Sequence, residues 1–566
     1  MYLSEEEREM KYILYGANRV AKDFLYMFED LQIVYFIDDE YEGRMFLGYP
    51  VARPAELNKR MTEEQIILCD FDKTKKETRL LEMGLVYGKD YLYEEDFFDR
   101  LDSFVIPKER KIAIWGTGRI AGQFCNAHPE YDPETFIDSR PKEETYRNKR
   151  VVLPKEIDDW TDRFVIVCVA KDEEIKEWLA ESGLKESRDY VSYQKLTGIP
   201  SKLLKETIFD RAYYDLECNT MRNHLEIFHG GNTRCCCTTF VEQNLDNMMD
   251  YGVDELWKSN LHKVLCLSTE NRTYTFCEKT MCPLFVAKRK EEARCTEGKY
   301  KKMTEYPETI ALGYDATCNL SCVTCRQVPY VARGREREKM SEISRRVKEN
   351  YLKRCKFLIL AGDGEVFLSP AYKEIYLDKN CNPEYIRLLT NGMLFNKKTW
   401  EQFADGKSSK VMLTVSVDAA SEATYEKIRK NGNFAVLAEN MKYASELRRK
   451  GELSYFRMNF VVQRENYQEM PLLVEWGEEL GVDEVFFTKI LNWGTYTEEE
   501  FSRVSMMEAD GITPKPELRE VIEQPVMQSP IVDMGTIRYG HRMDEADVVE
   551  NYYMWELEKR GGKLFS

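Results

Sequence analysis

The residues best suited to chemistry stand in one short stretch, Ala311 to Arg326 (ALGYDATCNLSCVTCR), where Cys318, Cys322 and Cys325 fall within eight positions just after an apolar run. Thiolate is a soft ligand suited to iron–sulfur clusters and to zinc, and cysteines this close on one loop can hold one face of a cluster. A cubane with three protein thiolates keeps one iron open to another ligand. The same three residues read alternatively as part of a zinc site or as buried thiols.

Such a loop needs strands to hold it. After Cys325 the chain alternates short β-rich apolar runs with longer amphipathic segments, as repeated βα units around parallel strands do. The pattern predicts strands over Ile310 to Ala316, Phe357 to Ala361, Ile386 to Leu389, Val411 to Val417, Phe456 to Val462 and Val485 to Lys489. In a barrel of that kind the loops at the strand C-termini carry the active groups. Ala361-Gly362-Asp363-Gly364-Glu365, Thr390-Asn391-Gly392 and Ser416-Val417-Asp418 occupy those ends.

The C-x3-C-x2-C spacing, followed by these strand ends in this order, resembles the radical S-adenosylmethionine (SAM) superfamily over roughly residues 210 to 535, with Thr324 where that family usually has an aromatic. The resemblance implies a [4Fe-4S] cluster on Cys318, Cys322 and Cys325 whose open iron binds SAM, and reductive cleavage of SAM to a 5′-deoxyadenosyl radical. Gly362, Gly364 and Glu365 resemble the family's glycine-glycine-glutamate element, which implies contact with the methionine ammonium. Thr390 and Asn391 are similarly family-like, and Ser416 is implied to bind the methionine carboxylate or the ribose. Asp418, with Arg429 at the end of Thr424-Tyr425-Glu426-Lys427-Ile428-Arg429, is implied to lie near SAM or substrate in a catalytic position. Asn466 reads as a helix cap.

A second group of cysteines precedes the barrel: Cys218, the triplet Cys235, Cys236 and Cys237, then Cys277 and Cys282. His224 to Phe228 followed by Gly230-Gly231 predicts a hairpin that brings Cys218 near the triplet. Four thiolates at such spacings suit either a second cubane or a tetrahedral zinc. The order of these cysteines, with Glu255-Leu256-Trp257-Lys258-Ser259 between them and Pro283 after the last, resembles the auxiliary-cluster module called SPASM or twitch. That module normally follows the barrel, and here it comes first. The resemblance implies an auxiliary [4Fe-4S] cluster on Cys218, Cys236 as the favoured member of the triplet, Cys277 and Cys282. Cys266 and Cys295 are extra ligands or ordinary thiols, and His224, His229 and His262 read as structural or exposed.

Residues 11 to 100 and 111 to 200 match each other almost in register. Lys11 to Gly16 is answered by Lys111 to Gly116, Phe36-Ile37-Asp38 by Phe136-Ile137-Asp138, and Ile67-Leu68-Cys69 by Ile166-Val167-Cys168. Each copy runs strand, glycine turn, helix, then a strand ending in acid, the order of a dinucleotide-binding βαβ unit. Gly16 and Gly116 are the candidate phosphate-side glycines, and Asp38 and Asp138 either bind a ribose or end a strand. Neither GANRVA nor GTGRIAG completes the full glycine fingerprint. The copies resemble short Rossmann-like modules attached to bacterial polysaccharide and nucleotide-sugar enzymes, which implies a nucleotide or nucleotide-sugar ligand, or a docking role. Cys69 and Cys168 read as core.

At 566 residues and 43% hydrophobic content the chain is long enough for several folded domains. A net charge of −17 offers no field to attract nucleic acid or an anionic membrane. The opening MYLSEEEREMK has no apolar signal core, and no run nears the ~18 apolar residues that span a bilayer, so a soluble cytoplasmic enzyme of bacterial type is expected. Sixteen cysteines in such a chain, most of them between Cys218 and Cys325, point to metal or reactive thiols rather than disulfides.

The expected architecture is therefore α/β: Rossmann-like repeats at 1–105 and 106–200, a cysteine-rich cluster domain at 201–300, a radical SAM partial (β/α)6 barrel at 301–500 and a tail at 501–566 packed on the barrel. The expected reaction is radical abstraction of hydrogen from a sugar, nucleotide-sugar or polysaccharide intermediate, with a ribosomal peptide or protein as the alternative substrate and flavodoxin or ferredoxin as electron donor. A zinc-binding scaffold without catalysis is the competing class. A dehydrogenase is disfavoured by the incomplete glycine fingerprints.

Overall fold

The computed structural model describes residues 5–537 and 548–549, except 40, 42–43, 60–63, 71–72, 99–109, 128–130, 142, 158, 161, 170–171, 187, 194–208, 211–215, 217, 238, 242, 271, 280, 287–303 and 494. Cys295 and all of the charged tail beyond Ile537 other than residues 548–549 lie outside the described residues.

The duplicated sequence folds into duplicated topology. In the first copy β1 (Lys11–Tyr15), β2 (Gln32–Ile37), β3 (Met45–Phe46), β4 (Tyr49–Ala52), β5 (Gln65–Leu68) and β6 (Tyr91–Tyr93) lie in the order β3-β4-β2-β1-β5-β6. In the second, β7 (Lys111–Trp115), β8 (Thr135–Ile137), β9 (Thr145–Tyr146), β10 (Lys149–Val152), β11 (Arg163–Val167) and β12 (Tyr190–Ser192) repeat it as β9-β10-β8-β7-β11-β12. The central strands of both sheets are parallel. Tyr12–Tyr15 and Phe164–Val167 are buried without alternation, as parallel strands covered on both faces are. Cys69 and Cys168 are buried at strand ends, as expected.

The first copy joins the rest of the molecule through α1 (Arg19–Met27), which packs on α2 (Asn260–Glu270) of the cysteine-rich segment. Lys22 pairs with Glu270 at 2.6 Å and Lys263 with Glu29 at 2.7 Å, flanking Phe24, Met27 and Phe28 in a core shared with Val264 and Leu267. The second copy keeps two cores of its own.

The largest sheet has ten strands: β14 (His224–Phe228), β15 (Asn232–Arg234), β16 (Asp246–Asn247), β17 (Thr309–Gly313), β18 (Phe357–Leu360), β19 (Tyr385–Thr390), β20 (Lys410–Ser416), β21 (Tyr455–Val462), β22 (Glu484–Lys489) and β23 (Val532–Asp533). Their order is β16-β15-β14-β17-β18-β19-β20-β21-β22-β23. The six strands predicted for the barrel are β17 to β22, parallel throughout, with the first ending at Gly313 rather than Ala316. Leu358, Leu388, Leu413, Met458 and Phe487 fall on the face buried under the helices, and alternation turns Ala311, Ile359, Arg387, Thr414, Arg457 and Asn459 to the inner face.

One expectation is corrected here. The boundary at residue 300 does not separate two sheets, because β14 pairs in parallel with β17 along its whole length, from His224↔Thr309 to Phe228↔Gly313. Pairing across such a sequence gap satisfies backbone groups that an edge strand would leave open, and nothing local in the sequence signals it. The tail contributes strands of its own: β23 adds to β22, and β13 (Phe209–Asp210) pairs antiparallel with β24 (Val548–Val549).

The helices between the strands begin at side-chain caps. In α3 (Pro370–Tyr376), α4 (Lys397–Ala404), α5 (Glu422–Ile428) and α6 (Phe434–Arg449), the preceding Ser369, Asn396, Ser421 and Asn433 each accept from a backbone N–H in the first turn. Each cap satisfies an otherwise open donor and fixes where the strand-end loop stops. Among the described residues no helix is long and apolar enough to cross a membrane.

Candidate active site at the strand ends

The thiol loop is fastened on three sides. Cys318 and Tyr330 exchange backbone hydrogen bonds at 2.8 and 3.1 Å. Ser321 N donates to Lys430 O at 3.1 Å and Val323 N to Ile428 O at 3.0 Å, which ties the loop to the end of α5. Glu365 N donates to Thr317 O at 2.8 Å, and Asp315 bonds both to Thr317 N and to the hydroxyl of Ser369. A Cβ on Gly364 would run into Asp315 O and stand 2.9 Å from Thr317 O, so only glycine lets the second strand-end loop lie this close to the first. Ala361 just before it holds φ +71°, a left-handed conformation that is rare for a residue with a side chain and marks a constrained turn.

The three thiols differ in setting. Cys318 and Cys322 are half-buried and Cys325 is exposed. Burial pushes the Cys318 and Cys322 thiols above their ordinary pKa, and Arg429 opposes that shift at Cys322 by favouring the thiolate. N–H donors already aim at sulfur: Asn391 Nδ2 lies 3.7 Å from Cys318 Sγ, and Arg326 Nε lies 3.3 Å from Cys325 Sγ. Such donors tune the electronics of thiolate-held clusters.

Around the loop the other strand-end residues form closed networks. Glu365 is fully buried, and its carboxylate accepts from Thr390 Oγ1 and Asn391 N, both at 2.7 Å, and from Phe367 N at 3.2 Å. Burial still holds its pKa above the ordinary value, against the pull of those three donors. Asn391 spans to Asn319 Oδ1 at 2.9 Å, so Glu365, Thr390 and Asn391 join two strand ends to the thiol loop. Asp418 Oδ2 accepts from Arg429 Nε at 2.8 Å and Nη2 at 2.6 Å, while its Oδ1 accepts from Val461 N at 2.8 Å. Burial works most strongly against the Arg429 charge, but Asp418 together with Cys322 and Tyr425 holds the guanidinium above its ordinary pKa. Gly362 is exposed, and Ser416 is half-buried beside Asn459 in the register of β20 and β21. Asn466 caps no helix with its side chain: its Nδ2 donates to Asp418 O and Val461 O, both at 2.9 Å, which corrects the expected role.

The auxiliary cysteines also converge. Cys218, Cys277 and Cys282 pack on one apolar cluster with Leu216, Tyr274 and Phe285. Cys236 is buried within electrostatic reach of Cys282 and Cys277, whereas Cys237 turns toward Thr239, Glu226 and Arg234. Burial pushes the Cys236 thiol well above its ordinary pKa and Cys277 likewise upward, and a metal centre would relieve that cost by taking thiolate. Among the described residues no three His, Cys, Asp or Glu side chains are placed to hold a single metal ion. A cubane asks for a different arrangement, since each thiolate binds its own iron. The donor sets in both places are all sulfur, which suits iron–sulfur chemistry. Cys266 instead lies 3.4 Å from His262 Nε2, itself fully buried between Trp257 O and Met221 O.

At the repeats, Gly16 and Gly116 hold φ +130° and +124°, and a Cβ at either would strike the carbonyl of Cys69 or Cys168. The acids that follow are engaged within their own repeat, each by the residue after the glycine and by one just beyond the acid. Asp38 accepts from Ala17 N at 2.8 Å and Tyr41 N at 2.7 Å, and Asp138 accepts from Thr117 Oγ1 at 2.5 Å and Arg140 N at 2.8 Å.

Sequence reasoning missed several charged residues inside the strands, of which Arg457 and Glu226 face inward and Lys489 shares the face of Phe487. Arg457 stacks 3.7 Å from the Phe486 ring centre and donates to Asn459 Oδ1 at 2.7 Å. Lys489, at the end of β22, is buried and has its pKa lowered to about 8 by that burial, although Glu278 and Asp510 oppose the shift. Glu278 belongs to the Cys277–Cys282 loop, so that loop lies within electrostatic reach of the end of the sixth barrel strand. Glu226 on β14 is a third case. The signal available for these residues was a charged side chain inside an otherwise apolar strand.

Residues 316–477 match the family model of the Radical SAM superfamily. The chain thus carries a radical SAM domain and is an enzyme. By structure it is similar to SuiB of Streptococcus suis bound to precursor peptide SuiA, with 17% identity, a TM-score of 0.30, and 40% of this chain covering 48% of that one. It is also similar to anSMEcpe bound to AdoMet and a Kp18Cys peptide, with 18% identity, a TM-score of 0.25, and 32% covering 51%. A third is the radical S-adenosylmethionine methyltransferase TsrM of Kitasatospora setae with cobalamin and [4Fe-4S] cluster bound, at 15% identity, a TM-score of 0.23, and 32% covering 34%. The chain spans about half the length of SuiB. No curated protein matches it by sequence.

Proposed function

We propose that this enzyme cleaves SAM reductively and abstracts a hydrogen atom from an unactivated C–H bond of its substrate. A [4Fe-4S] cluster on Cys318, Cys322 and Cys325 would supply the electron that yields methionine and the 5′-deoxyadenosyl radical. The observation that carries this reading is the fastening of the thiol loop to the ends of three successive parallel strands, by Gly364, Glu365 with Asn391, and the segment after Asp418.

In this reading the exposed edge around Gly362 and Gly364 receives the methionine ammonium, and Ser416 faces its carboxylate or the ribose. Glu365 and the Asp418–Arg429 pair keep the strand-end loops in place, and Arg429 favours thiolate at Cys322. Cys218, Cys236, Cys277 and Cys282 would hold an auxiliary [4Fe-4S] cluster able to accept an electron or to anchor substrate. A flavodoxin or ferredoxin in the cytoplasm is the proposed electron donor.

For the substrate we take a peptide ahead of a sugar or nucleotide-sugar. The sugar reading leans on the repeats, and there both candidate ribose acids are already engaged by groups of the glycine turn and of their own turn. The repeats then serve as docking modules. A nucleotide-sugar that raises the melting temperature of the wild type, and not of a Gly16→Val variant, would return the sugar reading to first place.

The test is 5′-deoxyadenosine formation from SAM by anaerobically reconstituted, reduced protein beside a C318A/C322A/C325A variant. Product from the wild type alone supports the proposal. Zinc in place of iron, with no product, returns the chain to a metal-stabilised scaffold.

A further inference from the structure

On the inner face of the hairpin that extends the barrel, a half-buried glutamate and a buried arginine stand opposite each other without bonding to one another. Glu226 on β14 and Arg234 on β15 are direct partners in the antiparallel register, so their side chains share a face. Leu225 and Ile227 are buried under the helices, which leaves Glu226 and Phe228 on the inner side. Glu226 Oε2 is out of contact with solvent and has no hydrogen-bond partner, and neither has Arg234 Nε. Arg234 lays its guanidinium 3.5 Å from the Phe228 ring centre and is 6% exposed.

Two glycines keep this place open toward the mouth. A Cβ on Gly313 would lie 3.7 Å from Glu226 Oε1, and one on Gly362 would lie 3.8 Å from it. Gly362 and Asp363 are themselves exposed, and Asp363 Oδ2 pairs with His229 Nε2 at 2.5 Å at the rim. Cys237 lies within electrostatic reach of both. The pair therefore stands beside Gly362 of the loop that would receive SAM.

Buried polar groups without partners are rare in folded proteins and ask for an explanation. An acceptor and a fixed donor side by side, with opposite charges that cancel, disfavour a free ion and suit a neutral group that presents N–H beside C=O. We propose that Glu226 and Arg234 form a substrate anchor that takes a backbone amide, with Glu226 accepting its N–H and Arg234 donating to its carbonyl. The inference rests on the peptide reading above. Burial raises the Glu226 pKa to about 7, against the pull of Arg234 and with Asp363 adding to the rise. The charged acceptor therefore forms as pH rises through neutrality, and amide binding strengthens with it.

The test uses the reconstituted protein and two probes, N-acetyl-trialanine amide and UDP-glucose, followed by saturation-transfer NMR between pH 6 and 8.5. The peptide probe is expected to bind the wild type more tightly as pH rises. Arg234→Met should weaken it about tenfold, the loss of a hydrogen bond to a charged group, and Glu226→Gln should flatten the pH dependence while keeping the shape of the pocket. Uncoupled 5′-deoxyadenosine formation, measured on the same samples, should persist in both variants. Equal peptide binding by wild type and both folded variants would overturn the anchor while leaving the radical reading intact. So would UDP-glucose binding that depends on the same two residues in place of the peptide. Absence of 5′-deoxyadenosine from every sample would instead strike at the radical reading itself.

Discussion

Replacing Arg429 by methionine probes the pair that braces the thiol loop. Asp418 is 2% exposed and Arg429 9%, and two guanidinium N–H groups reach one carboxylate oxygen. Methionine keeps much of the apolar volume but leaves the Asp418 charge buried with only Val461 N as donor. Removing one partner of such a pair costs about 3–5 kcal/mol. Because a chain of several domains need not unfold in one step, the assay is hydrogen exchange of the amides in Lys410–Ser416 and Tyr455–Val462 at pH 7. Exchange in these strands should accelerate strongly in the variant. A change below about 1 kcal/mol at pH 7, the range of exposed pairs, would refute the reasoning.

Gly364→Ala should expel the second strand-end loop from Asp315 and Thr317, so iron bound per chain after reconstitution should fall sharply with little change in far-ultraviolet circular dichroism. Glu365→Gln turns an amide NH2 toward donors that now face a carboxylate. It should lower stability by about 1–3 kcal/mol, seen as a lower denaturant midpoint for the barrel transition. Cys236→Ser should remove about half of the bound iron, one cubane of two, whereas Cys235→Ser and Cys237→Ser should leave the iron content near wild type.

The barrel was legible because its signals are local. Parallel strands covered on one face by helices keep an apolar pattern that a short window detects, and Tyr455–Val462 alternates along its whole length. The duplication was legible as self-similarity, and both sheets have the same strand order. The parallel pairing of β14 with β17 was hidden because it joins segments separated by the whole cysteine-rich stretch, and periodicity carries no record of partners. For the same reason Glu226 read as one charge in a short strand. The motif residues were visible by type, but their bonding was not: Glu365 turns to Thr390 and Asn391, and Asn466 holds the Asp418 turn rather than a helix.

The central claim is that Cys318, Cys322 and Cys325 hold a reducible cluster with an iron open to SAM. Electron paramagnetic resonance of the reduced protein, in a variant with Cys218, Cys236, Cys277 and Cys282 replaced by alanine, tests it most directly. The account predicts a reduced-cluster signal that changes shape when SAM is added and is lost when Cys322 is also replaced. A signal indifferent to SAM, or a protein that takes up zinc and no iron, would contradict it.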